Sequence, residues 1–307
     1  MANEIFNSGL GDLRLAAALH KEIAVLLADR ASLWRHPSIV YYGDMQGSGS
    51  DVLEVPLAGL NGYNAMTAVA ENASTSNTAL TDSSPSITIA RQALQRQISD
   101  LAVLTDSVGL NVQTLAEDMV GAASVRFMEM IAALAGSFTN NVGGSGVDLT
   151  VANFLDATFT LTQNSVPGPY IACMFPTQVT DLLSSLRSET GPIAQWQAAT
   201  SELMKIKGPG FQGSFVGVDI FASSKIPTAN AGADSAGGMW GYGAIGYAEG
   251  TPRALVGAGG FEVPAGSPFM VEFERDSAAA LTKVVGNYYV GTSLIEDSRG
   301  VAIISDR

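Results

Sequence analysis

Apolar positions recur at three- and four-residue spacing in several stretches of the chain, and each such stretch predicts a helix. The first runs from Asp12 to Arg30, where Leu15, Leu19, Ile23 and Leu26 form one stripe and Asp12 is placed to favour the first turn. Pro37 closes it. The pattern fits an amphipathic helix packed on its own domain and equally an arm docked on a neighbour. The strongest stripe is Val120, Ala123, Phe127, Met130, Ile131 and Leu134, with Glu117, Asp118, Arg126 and Glu129 on other faces. It begins near Asn111 to Thr114 and stops at Gly136, a length of about six turns or on the order of 35 Å. Small residues at its middle, Gly121, Ala122 and Ala123, permit close backbone approach. Further helices are expected over Val151 to Gln163, with Phe154, Leu155, Thr158 and Leu161 on one side, and from Pro176 onward, with Val179, Leu182, Leu183 and Leu186.

Between Ile39 and Ile98 the pattern changes to long runs of Gly, Ser, Thr, Asn and Ala around two short segments. These are Val52-Leu53-Glu54-Val55-Pro56 and Ser86-Ile87-Thr88-Ile89-Ala90-Arg91, and the second alternates as a half-buried strand should. The roughly thirty residues between them, Leu57 through Ser84, are mostly small or polar, and a loop of that length points to function or disorder. The region reads as a two-stranded extension that cannot bury its own faces and must lie against something else. Later strands are expected at Tyr170 to Phe175, Val216 to Ala222, Met239 to Ala248, Phe269 to Arg275, Ala279 to Val290 and Val301 to Ile304. Gly-rich connections lie at Gly208 to Gly213, Ala231 to Gly243 and Gly257 to Gly260. The mixture indicates an α+β fold, and at 307 residues the chain can form two lobes or one large domain with extensions.

Composition narrows the function. The apolar fraction of 47% owes much to Ala, and the longest apolar runs, Ile23 to Ala28 among them, are too short to span a bilayer, so no membrane partner is expected. The start Met1-Ala2-Asn3-Glu4 lacks the basic region of a secretory signal. A net charge of −13 without a basic block argues against sequence-specific DNA binding, and an acidic wall repels enclosed DNA instead of gripping it.

Candidate chemistry is sparse, and no cofactor or metal is expected. The single cysteine, Cys173, lies in an apolar run and reads as a buried structural thiol. His20 and His36 are the only histidines, read as surface or interface residues, and neither has metal-ligand spacing or a nucleophile elbow to serve. Gly143-Gly144-Ser145-Gly146 follows a helix and reads as a helix stop with a hinge, not a phosphate loop. Lys205 and Lys207 near Pro209 read as a solvated loop in preference to a pore lining or nucleic-acid contact. Glu272, Glu274 and Asp276 alternate along one strand face with Arg275 opposite; such a row can hold a divalent cation, but more often it is solvated or pairs with basic groups of another subunit.

Taken together, this order of elements resembles the major capsid proteins of tailed bacteriophages, with their Hong Kong 97-type shell fold. The resemblance rests on the two ribbon segments, on Gln97-Ile98-Ser99-Asp100 leading into the long spine helix, on Met174-Phe175-Pro176-Thr177 and Gly217-Val218-Asp219-Ile220, and most specifically on the tail. That tail runs from Tyr288-Tyr289-Val290-Gly291 through Arg299-Gly300-Val301-Ala302-Ile303. It implies an N-terminal arm (1–36), an extended hairpin loop (37–99), a peripheral domain with the spine helix (100–168), an axial domain (169–263) and return strands of the peripheral domain (264–307).

The implied function is structural and non-enzymatic: self-assembly, as pentamers and hexamers, into an icosahedral head enclosing double-stranded DNA. The implied setting is a virion built in the bacterial cytoplasm, with portal and scaffolding or decoration proteins as partners. Subunit contacts are expected from the ribbon, at Val52, Val55, Pro56, Ile87, Ile89 and Arg91. Others are expected from the charged positions Arg126, Glu272, Glu274 and Arg275. An encapsulin-like nanocompartment shell shares the architecture, and an acidic α+β hydrolase is the rival from another class.

Overall fold

The computed structural model describes residues 36–45, 50–58, 68–74, 82–101, 112–188, 196–207, 210–250 and 269–307. The expected helix Asp12 to Arg30 and the Gly257 to Gly260 cluster lie outside the described residues.

In chain order the first half comprises β1 (Ile39–Asp44), β2 (Val52–Glu54), β3 (Leu57–Ala58), β4 (Asp82–Ser83), β5 (Ser86–Thr88), β6 (Ala90–Ser99), α1 (Val112–Ala135), β7 (Asn141–Gly143) and α2 (Val151–Gln163). There follow β8 (Tyr170–Met174), α3 (Pro176–Ser188), β9 (Gln197–Ala198), α4 (Ser201–Lys207), β10 (Phe211–Phe215), β11 (Val218–Ala222) and β12 (Thr228–Ala229). The chain ends with β13 (Asp234–Trp240), β14 (Ile245–Glu249), β15 (Phe269–Asp276), β16 (Leu281–Leu294) and β17 (Gly300–Asp306).

Thirteen of these strands make two larger sheets, and β2 with β5 and β3 with β4 make two short ladders. Sheet one has the order β1-β14-β16-β15, with β6 also pairing β16. Sheet two has the order β7-β17-β13-β8-β11-β10-β9, with β12 beside β13. Period-two alternation gives sheet two separate faces. Ile171, Cys173, Trp240 and Ala302 join the core formed by α1 and sheet one, whereas Ala172, Met174, Met239, Val301 and Ile303 join the core beneath α2 and α3. Helix α1 therefore lies where the two sheets meet, and its buried stripe of Met119, Val120, Phe127 and Ile131 serves both.

Helix α2 starts where Thr150 caps it, the hydroxyl accepting from the Asn153 N–H at 3.3 Å. Its buried residues are Val151, Phe154, Ala157 and Leu161; Leu155, expected on the same side, is exposed.

The structure revises other expectations. Ala231 to Gly243 is not simply a Gly-rich connection, since it contains β13, whose residues are all buried. The reason is the end of α1: a Cβ on Gly238 would lie 2.1 Å from the Ala135 carbonyl oxygen, so only glycine lets helix and strand approach this closely. Gly143 belongs to β7, paired with β17, where a Cβ would lie 2.1 Å from the Ile304 carbonyl oxygen; the hinge reading gives way to a strand. The expected strand Met239 to Ala248 is two strands, because the chain turns through Gly243 at φ +80 and β14 crosses to sheet one.

Linear segments and sheets accordingly do not coincide. β1, from 37–99, pairs in parallel with β14, from 169–263, and both lie in sheet one. β7 and α2, from 100–168, pack with sheet two. The tail divides: β16 stays in sheet one, while β17 pairs with β13 in sheet two.

Candidate assembly surface

The ribbon exists, and it is rooted in the chain's own core. β2 pairs antiparallel with β5, setting Leu53 against Ile87, and β3 continues the ladder with β4. Val55 and Ile87 are buried with Ala248 and Ile295, and Tyr42, Leu53, Leu57 and Ile89 pack around them. The Val55 N–H donates to the Pro85 carbonyl at 2.9 Å and the Ile89 N–H to Asp51 at 2.8 Å. Alternation explains this: Ile87 turns inward between exposed Ser86 and Thr88. The expectation that the ribbon buries no face within its own chain is therefore corrected at its root, and Val55 and Ile87 are core residues there. Pro56 is exposed, and Val52 and Ile89 are half-buried. Of the ribbon's far end, residues 68–74 are described; 68–73 have no regular secondary structure beyond a turn, and Asn72 has a φ of +65.

The charged candidates are tied into the chain. Arg91 donates from Nε to Asn287 Oδ1 at 2.7 Å, and Asn287 Nδ2 donates to Glu272 Oε1 at 2.9 Å, so β6, β16 and β15 are joined through one buried amide. Arg126 donates to Gln92 Oε1 at 2.9 Å and pairs with Glu129 at 3.2 Å. Arg275 forks onto both oxygens of Asp100 at 2.6 and 2.5 Å, and that bond holds the Asp100 carboxyl below its ordinary range. Lys283 stands 3.8 Å from Glu274 and 3.4 Å from Asp276, supplying the positive charge that the acidic row calls for. Among the described residues no group of His, Cys, Asp and Glu is arranged to hold a metal ion.

The outward side of α1 carries a shallow groove lined by Glu117, Asp118, Gly121, Ala122, Val125, Arg126 and Glu129. Arg96 from β6 bonds Asp118 at 2.6 Å and Lys225 bonds Glu129 at 2.9 Å, and these contacts depress both carboxyls. The floor of small residues is flanked by charges already paired.

Two features escaped the sequence reading. His36 is buried, not a surface residue: its Nδ1 lies 2.7 Å from Ser38 Oγ, its Nε2 lies 3.4 Å from Asp219 Oδ2, and its ring meets Phe221 edge-on. Lys207 closes α4 and does not sit in a solvated loop; its Nζ is 2.6 and 2.5 Å from the two Asp219 oxygens and 4.9 Å from the centre of the Phe211 ring. Burial raises the Asp219 carboxyl, but the bonds from His36 and Lys207 outweigh it and hold the group below its ordinary value. This cluster ties the segment preceding β1 to sheet two. The second feature is Glu249, which burial pushes up to about 7, with Asp44 adding and the Tyr288 hydroxyl opposing. A part-buried carboxylate ending a strand gives no local signal. Cys173 is fully buried, and its thiol is pushed up to about 12.

No protein-family model matches the chain, and no curated protein sequence matches it. Solved structures do. A chain of the capsid of Ralstonia phage GP4 superposes with a TM-score of 0.58 at 13% identity, covering 88% of this chain and 87% of that one. A chain of the capsid of a native GTA particle gives a TM-score of 0.58 at 13% identity, covering 90% of each. The SrpI encapsulin of Synechococcus elongatus gives a TM-score of 0.55 at 12% identity, covering 87% of this chain and 84% of that one. The chain therefore has the α+β fold of Hong Kong 97-type capsid shells.

Proposed function

We propose that this chain is a non-enzymatic shell subunit, the major capsid protein of a tailed bacteriophage, which assembles as pentamers and hexamers into an icosahedral head around double-stranded DNA. The observation that carries this reading is the correspondence of fold over about nine-tenths of the length with a capsid chain, at equal coverage of both. Physical argument supports it. A ribbon two strands wide cannot hold itself in water away from its root, and it gains stability by lying on a neighbouring copy. Repetition of one heterologous contact around an axis closes a ring.

Within this reading Val52, Pro56 and Ile89 are the ribbon positions with surface to offer, Val55 and Ile87 hold the root, and Arg126, Glu274 and Arg275 offer charge at the rim. The net charge of −13 suits a wall that encloses DNA without gripping it. Portal and scaffolding or decoration proteins are the further partners, and the virion, built in the host cytoplasm, is the location.

The test is sedimentation velocity with negative-stain microscopy of the expressed chain across a wide concentration range. Rings or closed shells are expected; a species that stays at 31.8 kDa throughout, without particles, overturns the proposal. The likeness to SrpI supports a second reading, an encapsulin-like shell. Protein cargo inside small closed particles, in place of DNA and a portal, is the result that selects it. The fold disfavours the acidic hydrolase.

A further inference from the structure

The segment before β1 is pinned at His36. Its Nε2 lies 3.4 Å from Asp219 Oδ2 on β11, and its Nδ1 accepts from the Ser38 N–H at 3.2 Å, so the imidazole is held from both sides. Lys225, six positions after Asp219, bonds Glu129 at 2.9 Å at one end of the groove on the outward side of α1. Six residues of chain span at most about 20 Å. The pin at His36 and the Glu129 end of the groove are therefore both fixed to one short stretch, β11 and the turn that follows it.

The sequence before His36 supplies an occupant. Asp12 to Arg30 carries the stripe Leu15, Leu19, Ile23 and Leu26, and an amphipathic helix has to bury such a stripe. Arg30 stands six positions before His36, so this linker also reaches about 20 Å, and the end of the helix can meet the end of the groove. A tether this short holds a segment at roughly millimolar effective concentration, which a free second copy in dilute solution does not match.

The tether also sets the direction. With Arg30 at the Glu129 end, the helix runs back toward Glu117, and the two helices point the same way. Their spacings then agree. Leu19, Ile23, Leu26 and Arg30 are separated by four, three and four positions, and so are Asp118, Ala122, Val125 and Glu129 along the groove. Leu26 falls level with Val125, which is 47% exposed, and Ile23 with Ala122 and Gly121, whose small side chains leave room for a ridge of Leu and Ile. Arg30 falls level with Glu129, so charge is complementary where the apolar stripe ends.

The geometry points to an arm that folds back within its own chain: residues 12–30 form a helix seated in the α1 groove, with Ile23 and Leu26 over Ala122 and Val125. Of the two packings the stripe allows, on its own domain or on a neighbour, this is the first. It concerns one chain and holds whether or not copies assemble.

The test is disulfide trapping in the full chain, with Leu26→Cys paired with Val125→Cys; Cys173 is fully buried and takes no part. In dilute solution under mild oxidation an intrachain bond is expected, seen as a faster monomer band on a non-reducing gel. It should form about tenfold faster or more than in a control pairing Leu26→Cys with Thr162→Cys, an exposed position on α2. Bonded dimers in its place put the arm on a second copy and overturn the inference. So does equal trapping in groove and control, or none in a chain whose circular dichroism matches the wild type. Val125→Arg probes the arm without cysteines, crowding the groove floor from a position already exposed. Trypsin cleavage after Arg14, Lys21 and Arg30 should quicken about tenfold as the undocked population grows, and an unchanged rate also overturns the inference.

Discussion

Arg91 and Glu272 stand on strands that do not pair with one another, yet the side-chain amide of Asn287 joins them, accepting from the guanidinium at 2.7 Å and donating to the carboxylate at 2.9 Å. β16 lies between β6 and β15, and Asn287 is fully buried, so its amide is satisfied by two charged groups that are themselves only part-buried. Replacing Asn287 by Leu keeps the volume and removes both bonds. Because each charged partner then loses a bond at a part-buried site, Asn287→Leu is expected to lower unfolding free energy by about 2–3 kcal/mol. Urea titration followed by tryptophan fluorescence reads this. Arg91→Met alone should cost less, and the double variant less than the sum of the two, as members of one network do.

Gly238 is required by a contact and not by its backbone angle. With its Cβ position 2.1 Å from the Ala135 carbonyl, Gly238→Ala forces α1 away from β13 and is expected to cost about 3 kcal/mol or more. Gly217 makes the comparison: its φ is +76 and nothing lies within 4 Å of its Cβ position, so Gly217→Ala bears conformational strain alone, about 1 kcal/mol. Thermal unfolding of the pair separates crowding from backbone preference. Equal losses would contradict this account.

The same glycines explain which parts of the fold could be read from the chain. α1 and α2 were legible to within a residue or two because a helix that buries one stripe repeats it every three to four positions, as Val120, Phe127 and Ile131 do. β13 was not, because Gly238 exists for the approach of α1 and Gly237 for that of Gln178 and β8, contacts between residues far apart in the chain that leave only a loop-like composition. The ribbon strands were legible from alternation at Ile87 and Ile89, but not the burial of their root, which depends on Ala248 and Ile295 arriving from the far end of the chain. Of the candidate contact residues, Arg91 and Glu272 proved to be linked through an asparagine with no pattern around it. His36, Asp219 and Lys207 came together from three separate segments.

That triad yields a graded prediction. His36 is buried beside Asp219, whereas Lys207 keeps about a third of its surface in water. Asp219→Ala strands the imidazole without its acceptor and is expected to cost about 2 kcal/mol. Lys207→Met leaves Asp219 its bond to His36 and, after discounting for solvent screening, is expected to cost less than about 1 kcal/mol. Chemical denaturation of both variants gives the order. A larger loss from Lys207→Met would mean that the exposed ammonium, not the buried imidazole, holds the segment before β1 to sheet two.

Glu249 makes the stability of the folded chain depend on pH with a definite sign. Its folded value of about 7 stands above the ordinary 4.5, so the folded state holds a proton that the unfolded state has released between those limits. Unfolding free energy must therefore fall as pH rises from 4.5 to 7 and level off above that, by an amount on the order of 2–3 kcal/mol. The depressed carboxyls Asp118, Glu129 and Asp219 act oppositely: their contribution is present above about pH 4 and is lost as pH falls further. The two windows barely overlap, so the wild type should be most stable in mildly acidic solution, near pH 5. Glu249→Gln should match the wild type there and exceed it at pH 8 by most of that 2–3 kcal/mol. A wild type and Glu249→Gln whose denaturation midpoints run parallel from pH 5 to pH 8 would show that the carboxyl reaches water and titrates as an ordinary glutamate.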